Sequence, residues 1–217
     1  MKKRIGKNIP LHRTIDSKHY LDGARCEKAF WLDFNPQKLK VPSSNLSRLL
    51  MEKDQEVILA ARKLFPGGID LSKNGELSER ALAAATEQAL SSKEKCFFNA
   101  GFMSAQGHYF TADILIKSEK QTVIYVVVRS TDIIKPLHID NVGWKRHVLE
   151  ECGKERKIAI KIMRLKKEFV LDGDAVRPED LFTWSDETWP SRRNQPASSC
   201  GSTILAAPYP TERYSKG

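Results

Sequence analysis

The spacing of hydrophobic positions along the chain changes from helical to strand-like near residue 95. In the first part, apolar side chains recur every three or four residues, which is typical of helices that bury one face. The predicted helices span about 18–34, 46–65 and 77–91, each with a capping Asp or Ser at or near its start. The sequence Pro66-Gly67-Gly68 ends the second helix. The first part of the chain is therefore predicted to be helical.

The remainder contains shorter apolar runs that predict four strands. These runs are at 96–103, 109–116, 122–129 and 157–163. The third is almost continuously apolar, which is typical of a central strand covered on both faces. A helix at about 140–152 separates the third strand from the fourth, and a small hairpin near 169–171 and a short helix at 178–182 follow. This order predicts an α/β fold with a meander, a crossover helix and a returning strand.

The same pattern predicts one domain at 16–189 that follows a basic arm at 1–15. Residues 190–217 are rich in Pro, Ser and Gly, so they are expected to be flexible. No apolar run is long enough to cross a bilayer, and no secretory signal follows the basic start. A cytoplasmic protein without a membrane partner is expected.

Charge adds a weak indication of a polyanionic partner. The chain has 36 Lys and Arg against 27 Asp and Glu, which gives a formal net charge of +9. The surplus arises in two regions, residues 1–40 and 145–167. Charge alone makes DNA or RNA a candidate ligand but does not distinguish binding from a merely solvated basic surface.

Four segments together carry a family resemblance. They are the opening helix with Ser17, Tyr20-Leu21, Gly23, Cys26 and Trp31-Leu32; the helix end Ala61-Arg62-x-Leu64-Phe65-Pro66-Gly67-Gly68; the strand residues Phe98, Ala100, Phe102 and Ala112-Asp113-Ile114-Leu115; and Ser130-Thr131, Lys135, His138, Asp140 and Val142. In order and spacing they resemble the PD-(D/E)XK nuclease superfamily, specifically its RecB-like branch near the CRISPR-associated exonucleases. The resemblance covers about 17–182 and implies a restriction-endonuclease-like core, α-β-β-β-α-β, with additional N-terminal helices.

The resemblance also implies a catalytic centre, most of which this sequence lacks. Family members place an Asp on the second core strand and a Glu-x-Lys on the third, where the acids hold Mg²⁺. Asp113 matches the Asp, but Val127 and Arg129 stand where the Glu and Lys are expected. Asn99 replaces a Glu of the first strand, and Lys145 replaces a Gln of the crossover helix. Asp113 is thus the one retained acid of the motif.

These replacements predict a catalytically inactive nuclease-like protein that binds nucleic acid. A single carboxylate is not sufficient for a protein Mg²⁺ site, and nearby cations would repel the ion. The residues expected to contact phosphate are Arg129, Lys135, Lys145 and Arg146. No metal or cofactor is expected, unless the chain is active and Asp113 binds Mg²⁺ or Mn²⁺.

Two alternative functions stay open at this point. The chain could be a divergent active nuclease whose acids have moved, with Glu94, Glu150 or Glu151 as candidates. It could instead be a protein-interaction module that acts on a nuclease or a defence complex. Asp113 could also form a purely structural ion pair with Arg129 or Lys145.

Several single residues carry further expectations. Several of the CRISPR-associated nucleases that the chain resembles hold an iron–sulfur cluster. Such a cluster is not expected here, because Cys26, Cys96, Cys152 and Cys200 lack the clustered spacing that it needs. Cys26 and Trp31 are expected in the core. His138 and His147 are single histidines without metal-ligand spacing, so surface or capping roles are expected for them rather than metal ligation.

Overall fold

A computed structural model of the chain describes residues 14–34, 44–72, 75–119, 121–131, 136–154, 157–170 and 177–184. The helices are α1 (Ser17–Arg25), α2 (Glu27–Phe34), α3 (Asn45–Arg62), α4 (Glu79–Ser91), α5 (Pro136–Glu151) and α6 (Pro178–Leu181). The strands are β1 (Ile69–Asp70), β2 (Cys96–Met103), β3 (Tyr109–Lys117), β4 (Thr122–Val128), β5 (Ile158–Leu165) and β6 (Phe182–Trp184).

The six strands form one mixed sheet in the order β1-β2-β3-β4-β5-β6. Strands β2, β3 and β4 make an antiparallel meander, and β5 returns parallel to β4 after the crossover through α5. Parallel neighbours need a long connection, which α5 provides. The short outer strands add a parallel partner to β2 and an antiparallel partner to β5. The predicted α/β class, with meander, crossover helix and returning strand, is confirmed.

Each face of the sheet carries an apolar cluster. The larger cluster, packed against α5, includes Phe97, Ala100, Phe102, Phe110, Ala112, Leu115, Ile124, Val126, Trp144, Val148 and Ile160. The smaller cluster joins α3 to the opposite face and includes Ala61, Phe98, Ile114, Met163 and Phe182. The sheet is therefore covered on both sides around its centre, as the continuous apolar run of β4 predicted.

The prediction of one helix over 18–34 is wrong, because the helix is interrupted at Cys26. The backbone there is extended, with φ −157° and ψ 108°, and α2 begins immediately afterwards. Gly23 is buried, and a Cβ placed on it would lie 3.2 Å from the Phe30 ring. The missing side chain therefore lets α1 and α2 pack closely. Cys26 and Trp31 are exposed, so their predicted place in the core is also wrong.

Several predicted segments lie wholly or partly outside the described residues. These are the arm at 1–15 up to residue 13, the tail at 190–217 and most of the predicted hairpin around residue 171. The last residue of the arm, Ile15, is described and pairs with His108 in an isolated parallel bridge. Within the described segments, no helix has the length and hydropathy needed to cross a membrane.

Candidate functional site around Asp113

Strands β3 and β4 separate at Asp113. Their paired residues run from Lys117↔Thr122 to Ile114↔Tyr125 and extend no further. Beyond that point, the first half of β3 continues beside β2, whereas the end of β4 continues beside β5. The Asp113 carboxylate lies at this separation and accepts a hydrogen bond from the Val127 N–H at 2.9 Å. The positions that the resemblance assigns to the motif's Asp and Glu thus meet in space.

The alternation of side chains also reverses at Asp113 and at Asn99 beside it. The paired residues skip both positions, from Phe98↔Ile114 to Ala100↔Ala112. Phe97 and Ala100 face the same apolar cluster although they are three residues apart, and regular alternation would place them on opposite faces. Asn99 has φ +54°, a left-handed conformation that Asn tolerates better than most residues. The regular side-chain alternation of both strands is therefore interrupted at the site.

Side chains of α5 satisfy the main-chain groups that the separated β4 leaves unpaired. Trp144 Nε1 donates to the Tyr109 carbonyl at 3.0 Å, and Lys145 Nζ donates to the Thr111 carbonyl at 2.8 Å. Carbonyls two residues apart in a strand point to the same edge. The Gly101 N–H opposite Thr111 donates to Thr86 instead, which indicates that the Thr111 carbonyl points away from β2. The α5 side chains thus replace a strand partner.

Lys145 is buried at this edge, with only 5% of its surface exposed. Its ammonium group also lies 4.8 Å from the centre of the Phe110 ring. Burial lowers the pKa of Lys145, and the charges of Asp113 and Asp16 partly offset this shift. Burial likewise raises the pKa of Asp113, while Lys145, the Val127 N–H and Arg62 act in the opposite direction. The two groups therefore stabilise one another's charged forms inside the protein.

Arg62, at the end of α3, is a second cation beside Asp113. It donates to Asn99 Oδ1 at 2.6 Å and forms an ion pair with Asp70 Oδ2 at 3.2 Å. The Asn99 amide donates to both Asp70 oxygens at 3.0 Å. Burial raises the pKa of Asp70, but hydrogen bonds from Ser72 and Asn99 and the charge of Arg62 outweigh it and hold that pKa below its usual value.

The sequence missed the role of Arg62, although Arg62 belongs to the segment that carries the family resemblance at the helix end. Its partner Asn99 is 37 residues away, and β1, which carries Asp70, is only two residues long. No periodic pattern connects these positions. The charge of the Arg62 guanidinium group thus lowers the pKa of two carboxyl groups of the site, Asp70 and Asp113, against the effect of burial.

The predicted phosphate-binding residues that the structure describes, Arg129, Lys145 and Arg146, have separate surroundings. Arg129 lies against α3, where its Nε donates to Asp54 Oδ1 at 2.7 Å, and both side chains are substantially exposed. Lys145 instead is a buried residue of α5. Arg146 is partly buried and lies 3.8 Å from Glu150. Lys135 is outside the described residues.

The acids proposed for a relocated catalytic centre have other surroundings. Glu94 is exposed in the loop before β2, and Glu150 faces Arg146. Glu151 contacts two histidines, His108 and His147. In the described part of the chain, this His–His–Glu group is the one set of three or more side chains close enough to share a metal ion, and it does not include Asp113. His147, which lacks metal-ligand spacing to another histidine in the sequence, therefore lies close to His108 and Glu151 in the structure.

The described cysteines, Cys26, Cys96 and Cys152, are free thiols, and Cys200 lies outside the described residues. Burial raises the pKa of Cys96 to about 11 and also raises that of Cys152. Raised pKa values keep these two thiols protonated and weakly nucleophilic at neutral pH.

Comparison with known proteins gives no match to a protein-family model, to a curated protein or to a solved structure. The class established by the structure is therefore a mixed α/β protein with a six-stranded sheet.

Proposed function

We propose that this chain is a PD-(D/E)XK-like protein that has lost metal-dependent cleavage and binds nucleic acid without sequence specificity. The topology supports this assignment, since a helix, an antiparallel meander, a crossover helix and a parallel returning strand follow the α-β-β-β-α-β order of the restriction-endonuclease-like core. Other α/β proteins share that order, so the topology alone does not identify the function, and the assignment depends on the residues of the site.

The main support for the proposal is that three motif positions lie close together where β3 and β4 separate. Val127 donates its N–H to Asp113, and Asn99 lies opposite Asp113 on β2. These are the positions that the resemblance assigns to acids, and two of the three are uncharged in this chain. The spatial agreement supports the family assignment, while the side chains argue against the family's chemistry.

Arg62 strengthens the case against metal binding at Asp113. Mg²⁺ prefers several oxygen ligands and normally needs more than one anionic group. Here a guanidinium and an ammonium already compensate the carboxylate's charge. A divalent cation would have to enter against both, so hydrolysis assisted by Mg²⁺ is disfavoured.

The structure narrows the proposed nucleic-acid contacts to exposed cations. Arg129 is the strongest described candidate, because its ion pair with Asp54 is on the surface and such pairs contribute only about 0–1 kcal/mol. A phosphate could therefore replace Asp54 as its partner, with bidentate geometry. Lys145 is better assigned to holding Asp113 and β3 in place, since contact with phosphate would require it to leave a buried position.

The test combines cleavage and binding measurements on the same preparation. Plasmid and single-stranded DNA are incubated with Mg²⁺ and with Mn²⁺, and affinity for DNA and RNA is measured over a range of salt concentrations. We expect no cleavage, together with binding that weakens steeply as salt rises. Cleavage that disappears in Asp113→Ala would establish the active alternative instead, and an absence of binding at low salt would refute the nucleic-acid role.

One observation favours the protein-interaction alternative. The first half of α3 exposes large apolar side chains to solvent: Leu46, Leu49, Leu50 and Met51. Exposed apolar patches of this kind are typical of interaction surfaces. If neither cleavage nor nucleic-acid binding is observed, this surface becomes the leading candidate for function.

A further inference from the structure

A second polar cluster lies at the start of β3, away from Asp113. His108 immediately precedes β3, and its Nδ1 lies 2.8 Å from Glu151 Oε2. His147 and Glu151 are one turn apart on α5, with His147 Nε2 3.2 Å from Glu151 Oε1. Each carboxylate oxygen thus faces a different imidazole, and the ligand atoms of the three residues lie within 4.8 Å of one another.

The backbone around His108 is fixed from two sides. Ile15 exchanges main-chain hydrogen bonds with Gly107 and Tyr109, the two neighbours of His108. Ser104 donates its N–H to the His108 carbonyl at 2.9 Å and accepts the His108 N–H on Oγ at 3.2 Å. The position of His108 is therefore set by the turn before β3, and it does not depend on the contact with Glu151.

The helix side of the cluster is held by Trp144. Its buried ring lies 5.1 Å from the His108 ring and 5.8 Å from the His147 ring, centre to centre. All three polar side chains are mostly shielded, with exposed fractions of 13% for His108, 21% for His147 and 18% for Glu151. Rigid flanking elements and partial burial restrict the side chains to nearly convergent positions, which lowers the cost of ordering them around a ligand.

We propose that His108, His147 and Glu151 bind one Zn²⁺ ion or a similar divalent transition-metal ion. Two imidazoles and one carboxylate are a characteristic zinc ligand set, with water at the fourth position. Ligand atoms of a tetrahedral zinc site are separated by about 3.3 Å, given Zn–N and Zn–O distances of about 2.0–2.2 Å. The two separations between imidazole and carboxylate, 2.8 Å and 3.2 Å, are near that value, and all three ligand atoms lie within 4.8 Å of one another. Rotation of the side chains would therefore bring them around one ion. Nitrogen ligands favour transition metals over Mg²⁺ and Ca²⁺.

This site is independent of the nuclease-like centre. His108 precedes Asp113 by five residues along the strand, a distance of roughly 17 Å at the rise of an extended chain. The ion would connect the turn before β3 to the last part of α5. It would thus fasten the crossover helix onto the sheet, and the fourth position would be open to water or to a small anionic ligand.

The experiment uses the full chain after treatment with a chelator, titrated with Zn²⁺ alone in calorimetry. We expect one ion per chain, with a dissociation constant of about 1 µM or lower, and a higher unfolding temperature in the presence of the ion. Glu151→Gln and His147→Gln each remove one ligand while keeping side-chain size. Because loss of even an outer-shell partner weakens metal sites 10–100-fold, each variant should lose at least about 100-fold in affinity.

His19→Gln is the matched control. His19 also has a carboxylate partner, Asp16 at 2.8 Å, but it does not belong to the three-residue group. Its affinity for Zn²⁺ should equal that of the wild type. Co²⁺ gives a second readout, since the visible absorption of a four-coordinate ion should appear in the wild type and in His19→Gln and be absent in both ligand variants. A wild-type chain that binds no Zn²⁺, or equal affinity in all four proteins, overturns the proposal.

Discussion

The two polar clusters along β3 differ in the source of their positive charge. Around Asp113, Lys145 and Arg62 supply permanent cations from within the protein. Around Glu151, the partners are two imidazoles, His108 and His147, whose ring nitrogens are potential metal ligands. A carboxylate whose charge is already compensated by Lys and Arg has little to gain from a metal ion, whereas a carboxylate beside two imidazole nitrogens can share an ion with them. The presence of an acid therefore says less about metal binding than the groups around it.

Removal of the buried ammonium should produce the largest effect. Lys145→Met leaves Asp113 without its nearest α5 cation and leaves the Thr111 carbonyl without its donor. The free energy of unfolding, measured by urea denaturation, should fall by about 3 kcal/mol. Lys53→Met, which removes an exposed lysine paired with Glu56, is the control and should change stability by less than about 0.5 kcal/mol. Equal stability of the two variants would contradict a structural role for Lys145.

Loss of the second internal cation should cost somewhat less. Arg62→Met removes the donor to Asn99 and the ion-pair partner of Asp70, which we expect to destabilise the protein by about 2 kcal/mol. Arg48→Met on the same helix removes an exposed arginine bonded to Asn45 and should be almost neutral. If both substitutions had the same small effect on urea unfolding, the Arg62 network would not be a stabilising part of the site.

The raised pKa of Asp113 predicts a specific dependence of stability on pH. An acid whose pKa is higher in the folded than in the unfolded state destabilises the fold when ionised, and this penalty disappears as pH falls through the folded-state pKa. Asp113→Asn has no such titration. The stability of the wild type relative to Asp113→Asn should therefore increase on acidification from neutral pH. If the free energies of unfolding of the two proteins changed in parallel with pH across the acidic range, the pKa of Asp113 would be the same in the folded and unfolded states.

The smallest effects are expected at the exposed Arg129–Asp54 pair, and they should have opposite signs. Arg129→Gln should weaken binding to DNA about threefold at low salt, and Asp54→Asn should strengthen it about threefold by freeing Arg129. Glu56→Gln on the same helix removes the same charge without affecting Arg129, so it separates local from general electrostatics. A Glu56→Gln protein that binds as tightly as Asp54→Asn would argue against a specific contact through Arg129.

The hydrophobic pattern predicted the central elements well because they are long and regular. Strand β2 has the predicted limits, and β3 and β4 differ from prediction by one residue at one end. Helix α5 starts four residues earlier than predicted, at Pro136, whose ring is well suited to a first helical position. The outer strands β1 and β6 were missed, since segments of two and three residues carry no periodicity and form only where the sheet offers an edge.

The candidate sites were predictable only where a family pattern links distant positions. The resemblance inferred from the sequence assigned Asp113 and Val127 to one motif, and in the structure the Val127 N–H donates to the Asp113 carboxylate. By contrast, His108 and Glu151 are 43 residues apart, and the short i, i+4 spacing of His147 and Glu151 on α5 was the available local signal. His108, the third residue of the group, could not be found from sequence, because only the folded chain brings it close to α5.

The separation of β3 from β4 also bears on how the protein avoids self-association. A strand whose carbonyls lack partners can recruit a strand from another molecule, and this is a common origin of aggregation. Along the first half of β3, the indole of Trp144 and the ammonium of Lys145 cover that edge in place of a neighbouring strand. Two side chains of the crossover helix therefore block this edge of β3 against pairing with a strand of another molecule. The block persists only while α5 stays packed against the sheet.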